Sequence, residues 1–241
     1  MRQLTANVFV ETGQRGSNHG LVTTSDGLVL IDGPFKPSDA LRLKAEIERR
    51  GRLRYIINTE PHGDHWTANA FFDVPAIAHE GVRTRILGTD LAEHVARVGT
   101  FGPDEPKLLE GYRPNAPIIT FQKEMTLHVG NHTFRMVHMP GHTPYQAAVI
   151  VEEEGVVFTS DNIFCKVQTW LQEADPARWL EALDHLTKDQ CVESLTAMTD
   201  RYPMDVEQEG YAPRVMKMNV ANLFDYVTGA GIHAAGQGTY R

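Results

Sequence analysis

Thr59-Glu60-Pro61-His62-Gly63-Asp64-His65-Trp66 carries four ionisable side chains between positions 60 and 65, directly after a short apolar run at 54–58 and before a short helical pattern at 67–72. Sheet proteins place chemistry at strand ends and in the loops that follow them. In an irregular loop Glu60 and His62 turn to one side and Asp64 and His65 to the other, making two neighbouring ligand pairs, with Gly63 permitting the bend between them. The competing reading of the hexapeptide is a polar surface loop with two exposed histidines.

Two further polar clusters end apolar runs in the same way. Met139-Pro140-Gly141-His142-Thr143-Pro144 sets a histidine between Gly and Pro, and Phe158-Thr159-Ser160-Asp161-Asn162 ends a strand in an acid. Three strand ends thus offer Glu60, His62, Asp64, His65, His142 and Asp161, enough for two metal ions sharing Asp161. His62, His142 and Asp161 are expected to converge within metal-binding distance.

Around these clusters the pattern alternates strands and helices. Strands are expected at 7–10, 21–24 and 28–31, the last two joined by the turn signal Ser25-Asp26-Gly27. A helix over 38–50 follows, with Ser38 as N-cap, Asp39 in its first turn, Ala40, Leu43 and Ile47 on one face, and Gly51 just past its end. Further strands are expected at 54–58, 75–79, 118–121, 125–129, 133–138, 147–151, 156–159 and 192–196. Helices are expected near 81–97, over 176–187 with Pro176 at its first position, and over 213–227. The segment 98–114, rich in Gly, Pro and large aromatics, is irregular, and long irregular connections are often functional. Two runs of strands, each followed by helices, predict two packed sheets with helices outside.

Composition narrows the functional classes. The chain has 241 residues, 41% hydrophobic and 22% charged, which suits one domain, 1–241, with a real core. Its 23 Lys and Arg against 31 Asp and Glu give a net charge of −8, which argues against nucleic acid and anionic membranes as partners. The longest clearly apolar run, 147–151, is far short of the roughly 20 residues of a spanning helix. No basic-plus-apolar leader opens the sequence, and Cys165 and Cys191 form no CxxC pair, so a cytoplasmic protein with reduced thiols is expected. Eleven histidines stand out. His128, His132 and His138, on or near one hairpin, are read as surface residues, and His185, beside Glu181, as a solvated partner. His19 and His79 are candidates to line a cleft, and His233 lies in a Gly- and Ala-rich tail.

The segment 59–65 is similar to the H-x-H-x-D-H signature of the metallo-β-lactamase-fold hydrolases, with Glu60 where the first histidine usually stands. Pro140-Gly141-His142-Thr143 resembles that family's next histidine site, Ser160-Asp161 its bridging aspartate, and Asp32 in Leu30-Ile31-Asp32-Gly33 its early strand-end aspartate. The resemblance implies an α/β fold, a four-layer αββα sandwich of two mixed β-sheets flanked by helices. It also implies metal ligands at Glu60, His62, Asp64, His65, His142 and Asp161. The region holding the family's last histidine here reads Leu195-Thr196-Ala197-Met198-Thr199-Asp200, which nominates Asp200 as an oxygen ligand or leaves the second site incomplete.

One or two zinc ions are expected. The carboxylate of Glu60, a harder ligand than imidazole, also admits iron or manganese. A metal in such a site provides hydroxide at neutral pH. The resemblance gives Asp64 the role of orienting that nucleophile or binding a second metal, and Tyr145 is placed to donate to a developing oxyanion. Trp66, Met139, Tyr145, Phe164 and Trp170 are candidates for an apolar substrate wall, with core packing as the alternative. The leading function is hydrolysis of an ester-like bond in a small molecule: a lactone, thioester, amide or β-lactam. Two alternatives share the fold: a mononuclear iron oxygenase or redox protein using Glu60, His142 and Asp161, and a binding or regulatory protein that has lost its metals.

Overall fold

The computed structural model describes residues 1–163 and 171–184. Expectations that fall on Phe164, Cys165, Trp170, His185, Cys191, Asp200, His233, the last turn of the helix over 176–187, the strand at 192–196 and the helix over 213–227 lie outside the described residues. The chain divides into two compact units, Met1–His138 with Tyr145–Ser160, and Met139–Pro144 with Asp161–Arg241.

The first unit holds both sheets. The larger comprises β1 (Arg2–Gln3), β2 (Val8–Glu11), β3 (His19–Thr24), β4 (Gly27–Ile31), β5 (Leu53–Ile57), β6 (Ala76–His79) and β7 (Ile119–Phe121), side by side in chain order. Pairing is antiparallel from β1 to β4 and parallel from β4 to β7. The switch follows the connections. Short turns join the antiparallel strands, whereas the parallel ones are separated by α1 (Pro37–Arg50), by the short α2 (Gly63–Trp66), and by α3 (Glu80–Leu87) with α4 (Leu91–Val98). The smaller sheet comprises, among the described residues, β8 (Glu124–Val129), β9 (His132–His138), β10 (Ala147–Val151) and β11 (Val156–Phe158), each paired antiparallel with its neighbour. The expected α/β architecture of two sheets with helices is found, and among the described residues the pairs of the smaller sheet are antiparallel.

Alternation builds the core between the sheets. Phe134, Met136, Val149 and Val151 from the smaller sheet join Val22, Val29, Ile31, Ile57 and Ile77 from the larger in one buried cluster. The other face of the larger sheet receives α1, whose Ala40, Leu43 and Ile47 pack with Leu28, Leu30 and Ile56. The same alternation corrects one reading of the histidines: His132 shares the inward face of β9 with Phe134 and Met136 and is 2% exposed, while His128 is on the surface. Buried His132 survives because its Nε2 lies 2.9 Å from Glu154 Oε1. Burial pushes the Glu154 carboxyl up, but hydrogen bonds from Thr5, Asn7 and His132 outweigh it and hold the group at about 2.

The start of α1 also differs from expectation. Pro37 occupies the first turn and Lys36 the cap position, without a side-chain cap bond. Ser38 is therefore inside the helix, and its N–H and hydroxyl both donate to the carboxylate of Glu105, at 2.9 and 2.7 Å. The 98–114 segment thus supplies the cap that Ser38 was expected to provide, from two short 3₁₀ turns at Gly99–Phe101 and Glu105–Leu109 that also bury Leu109. An acceptor at a helix N-terminus meets both the orphan N–H groups and the positive end of the dipole. Burial alone raises the Glu105 carboxyl, yet the two Ser38 bonds and Lys36, with Nζ 3.5 Å away, bring it below the usual glutamate range.

Glu105→Ala will cost about 1–2 kcal/mol, the range for loss of a cap, read as a lower denaturant midpoint at unchanged slope. Because the folded-state pKa lies below the unfolded one, the contribution of Glu105 is full above the unfolded value of about 4.3 and disappears as pH falls through the folded value. The difference between wild type and Glu105→Ala will therefore shrink on acidification below about pH 4.

Candidate metal centre

β4 and β5 are neighbouring parallel strands, so the residues just past their ends stand side by side. Past β4, Asp32 adopts a left-handed backbone (φ 55°), and it is buried. Its Oδ1 accepts from the Thr59 N–H at 2.8 Å, and its Oδ2 accepts from the Thr59 hydroxyl at 2.6 Å and lies 2.9 Å from His65 Nδ1. The Thr59 hydroxyl also shares a 2.7 Å hydrogen bond with the hydroxyl of Ser160, the other non-glycine residue in the left-handed region among the described ones. Strained backbone of this kind persists where surrounding bonds over-determine it.

The rest of the 59–66 segment is held as tightly. Asn58 donates to the His65 carbonyl at 2.9 Å and exchanges side-chain bonds with Asn69. Gly33 N–H reaches the same carbonyl at 3.1 Å. Trp66 Nε1 donates to the Pro61 carbonyl at 2.8 Å, and the Ser17 hydroxyl to the Asp64 carbonyl at 2.5 Å. Trp66 is 2% exposed, with its ring stacked on buried His94 at 4.7 Å. Of the two readings offered for Trp66, core packing is the one found. Asn58, Asn69, Ser17 and His94 were not singled out from sequence; Asn58, a polar residue ending an apolar strand just before Thr59, was the available signal.

Glu60 is fully buried, and its Oε1 lies 2.8 Å from His62 Nδ1 and 3.1 Å from His65 Nε2. The expected pairing of Glu60 with His62 against Asp64 with His65 is thereby corrected. Residues 63–66 form a helical turn, in which successive side chains diverge by about 100°, so His65 turns back to Glu60, while the Cβ and carboxylate of Asp64 lie beside Gly16. His65 stands between two carboxylates. With the proton on Nδ1, toward Asp32, the Nε2 lone pair faces the Glu60 oxygen, and only a cation, a proton or a metal ion, makes that approach favourable. His62 shows the same preference: burial lowers its pKa, but the hydrogen bond and charge of Glu60, with the charge of Asp64, leave it raised. The donor set of this cluster fits a metal ion.

The second unit brings His142 and Asp161 together, with Nε2 3.8 Å from Oδ2, His142 being 1% exposed. Their setting is built by Trp179 on α5 (Pro176–Asp184): its Nε1 donates to the Asn162 carbonyl at 3.1 Å, and Asn162 Nδ2 to the Met139 carbonyl at 2.8 Å. Gly141 is required here, since a Cβ would stand 2.6 Å from Asn162 Oδ1 and from the Trp179 ring. Met139 is buried in this unit. Tyr145 belongs to the first unit, its ring stacked on His79 at 5.6 Å and lying over Gly81. Asp200 is outside the described residues. No described helix is long and apolar enough to cross a membrane.

Comparison with known proteins agrees with this fold. A metallo-β-lactamase family protein from Thermus thermophilus superposes with a TM-score of 0.57 at 21% identity, covering 76% of this chain and 70% of that one. An archaeal metallo-β-lactamase superfamily protein from Sulfolobus tokodaii gives 0.55 at 14% identity over 92% of this chain and all (100%) of its own. In sequence, a hydroxyacylglutathione hydrolase of Methylococcus capsulatus is 26% identical over 182 residues, 71% of this chain but only 60% of that protein's length. The sequence model of the metallo-β-lactamase superfamily itself matches residues 12–202, a span that takes in Asp32, the 59–66 segment, His142 and Asp161. The chain belongs to the metallo-β-lactamase superfamily.

Proposed function

We propose that this protein is a metal-dependent hydrolase of ester-like bonds in small molecules, with Glu60, His62 and His65 as metal ligands in the first unit. The observation that carries the reading is the shared Glu60 carboxylate, facing two imidazole nitrogens at 2.8 and 3.1 Å, one of them on a ring already tied to Asp32. Zinc is the first candidate, and the carboxylate gives iron and manganese a stronger claim than an all-histidine set would. The activity named for the Methylococcus relative puts an acylated glutathione, a thioester, first among substrates to try.

When bound, the metal supplies a hydroxide nucleophile at neutral pH and a Lewis acid for the oxygen of the bond under attack. The chain's own residues do the rest. Asp32 fixes the His65 tautomer, leaving Nε2 to ligate. Asp64 takes up the proton that the nucleophile loses and delivers it to the leaving group, a role worth about 10²–10⁴ in rate. Tyr145, three residues after His142, donates its phenolic proton toward the developing oxyanion.

Three outcomes test this. Protein purified without added metal will carry zinc, iron or manganese by elemental analysis and will hydrolyse at least one of a glutathione thioester, a lactone, a simple ester and a β-lactam, with loss on chelation and recovery on metal return. A metal-bearing protein inert toward the whole panel refutes the hydrolase. Glu60→Gln keeps the shape and removes the charge, so metal affinity in a chelator competition will fall by about tenfold or more, and Asp32→Asn by about 10–100-fold, as for loss of an outer-shell carboxylate; unchanged affinity in both removes Glu60 from the ligand set. Asp64→Asn will lower kcat by about a hundredfold or more, with KM changed far less.

A further inference from the structure

Arg15 is a cation with no carboxylate partner among the described residues, in a chain whose net charge is −8. It is exposed, whereas the nearby Lys36 is engaged by Glu105. Its place is not that of a loose surface arginine. The next residue, Gly16, has φ 104° and presses on Asp64, where a Cβ would meet the Asp64 Cβ at 3.0 Å. One residue further, Ser17 is bonded to the Asp64 carbonyl. The loop bearing Arg15 is thus fastened to the proton-handling residue of the proposed site.

The Arg15 guanidinium lies over the ring of Phe101, 4.9 Å from its centroid. Phe101 meets Phe35 edge-on at 5.2 Å, and Phe35 Cε2 lies 3.3 Å from where a Gly63 Cβ would be. Both rings are half-buried. From Gly63, between His62 and Asp64, an aromatic surface therefore runs to a guanidinium. Stacking on a ring takes up the face of the guanidinium and leaves its N–H edge to bind a carboxylate with two parallel hydrogen bonds. An acidic protein repels anionic substrates at long range, so a fixed cation at the far end of an apolar strip is what makes an anion a favoured ligand.

We infer that Arg15 is a specificity-determining residue that binds a carboxylate on the substrate, with an apolar segment of the same molecule lying on Phe35 and Phe101 and the ester-like bond at the metal cluster. The substrate class is a small organic acid bearing a second, hydrolysable acyl group. The location of the scissile bond rests on the hydrolase reading; recognition of the carboxylate by Arg15 does not.

The test measures binding, with the full-length protein as purified, of 3-phenylpropanoate and of the isosteric neutral 3-phenylpropanamide by NMR titration or calorimetry. Wild type will bind the acid about tenfold more tightly than the amide, as expected for a charge-assisted pair. Arg15→Gln will remove most of that preference at unchanged metal content, and Arg15→Lys will retain part of it, having the charge but not the fork. Phe101→Ala will weaken acid and amide alike. If wild type shows no preference, or Arg15→Gln keeps it, Arg15 is not the anion anchor. Since none of these readouts needs turnover, a failed hydrolase panel with an intact, Arg15-dependent preference condemns only the hydrolase reading, and the reverse pattern condemns only the anchor.

Discussion

A single buried carboxylate organises the candidate metal centre of the first unit. Asp32 receives three groups, the N–H and hydroxyl of Thr59 and the Nδ1 of His65, and each bond joins the end of β4 to the chain leaving β5. Burying an uncompensated charge is prohibitive, and removing one member of such a set leaves the others exposed to that cost. Every further contact of the 59–66 segment extends from this point: Asn58 and Gly33 on the His65 carbonyl, Thr59 toward Ser160, Glu60 between His62 and His65. The left-handed backbone of Asp32 is the local strain required to aim the carboxylate there.

The sheets supply rigidity by ordinary means. One apolar layer between them and another beneath α1 lock the ends of β4 and β5 in register, so that loops after strands, otherwise the most mobile parts of a fold, inherit the stiffness of the core. The Thr59 carbonyl accepts from Ala147 N–H at the start of β10, which links the 59–66 segment after β5 directly to the other sheet.

Much of this was legible from the order of residues. Alternating apolar positions reported β2 to β11 to within a residue or two but not the two-residue β1, and α1 showed its inward face at Ala40, Leu43 and Ile47, because both patterns are local and periodic. The strand-end placement of Glu60, His62 and His65 was legible for the same reason, and Asp32 through its family resemblance. What escaped were features that depend on distant partners. Ser38 has the chemistry of a cap but yields to a proline before it and to Glu105, 67 residues on. His132 belongs to an inward row that only a partner such as Glu154 makes tolerable. The sharing of Glu60 between two histidines required the helical turn at Gly63–Trp66, too short to show a period.

The contact between Ser38 and Glu105 also bears on the order of folding. The apolar stripe of α1 finds its sheet partners in β4 and β5, close by in sequence, but its first turn is completed only by a carboxylate separated from it by β5, β6, α3 and α4. Closing so long a loop costs entropy before the contact repays it. On the ribosome, where synthesis proceeds from the N-terminus, the first turn of α1 lacks this acceptor until the 3₁₀ turn at Glu105–Leu109 has emerged, after β5 and β6 but before β7.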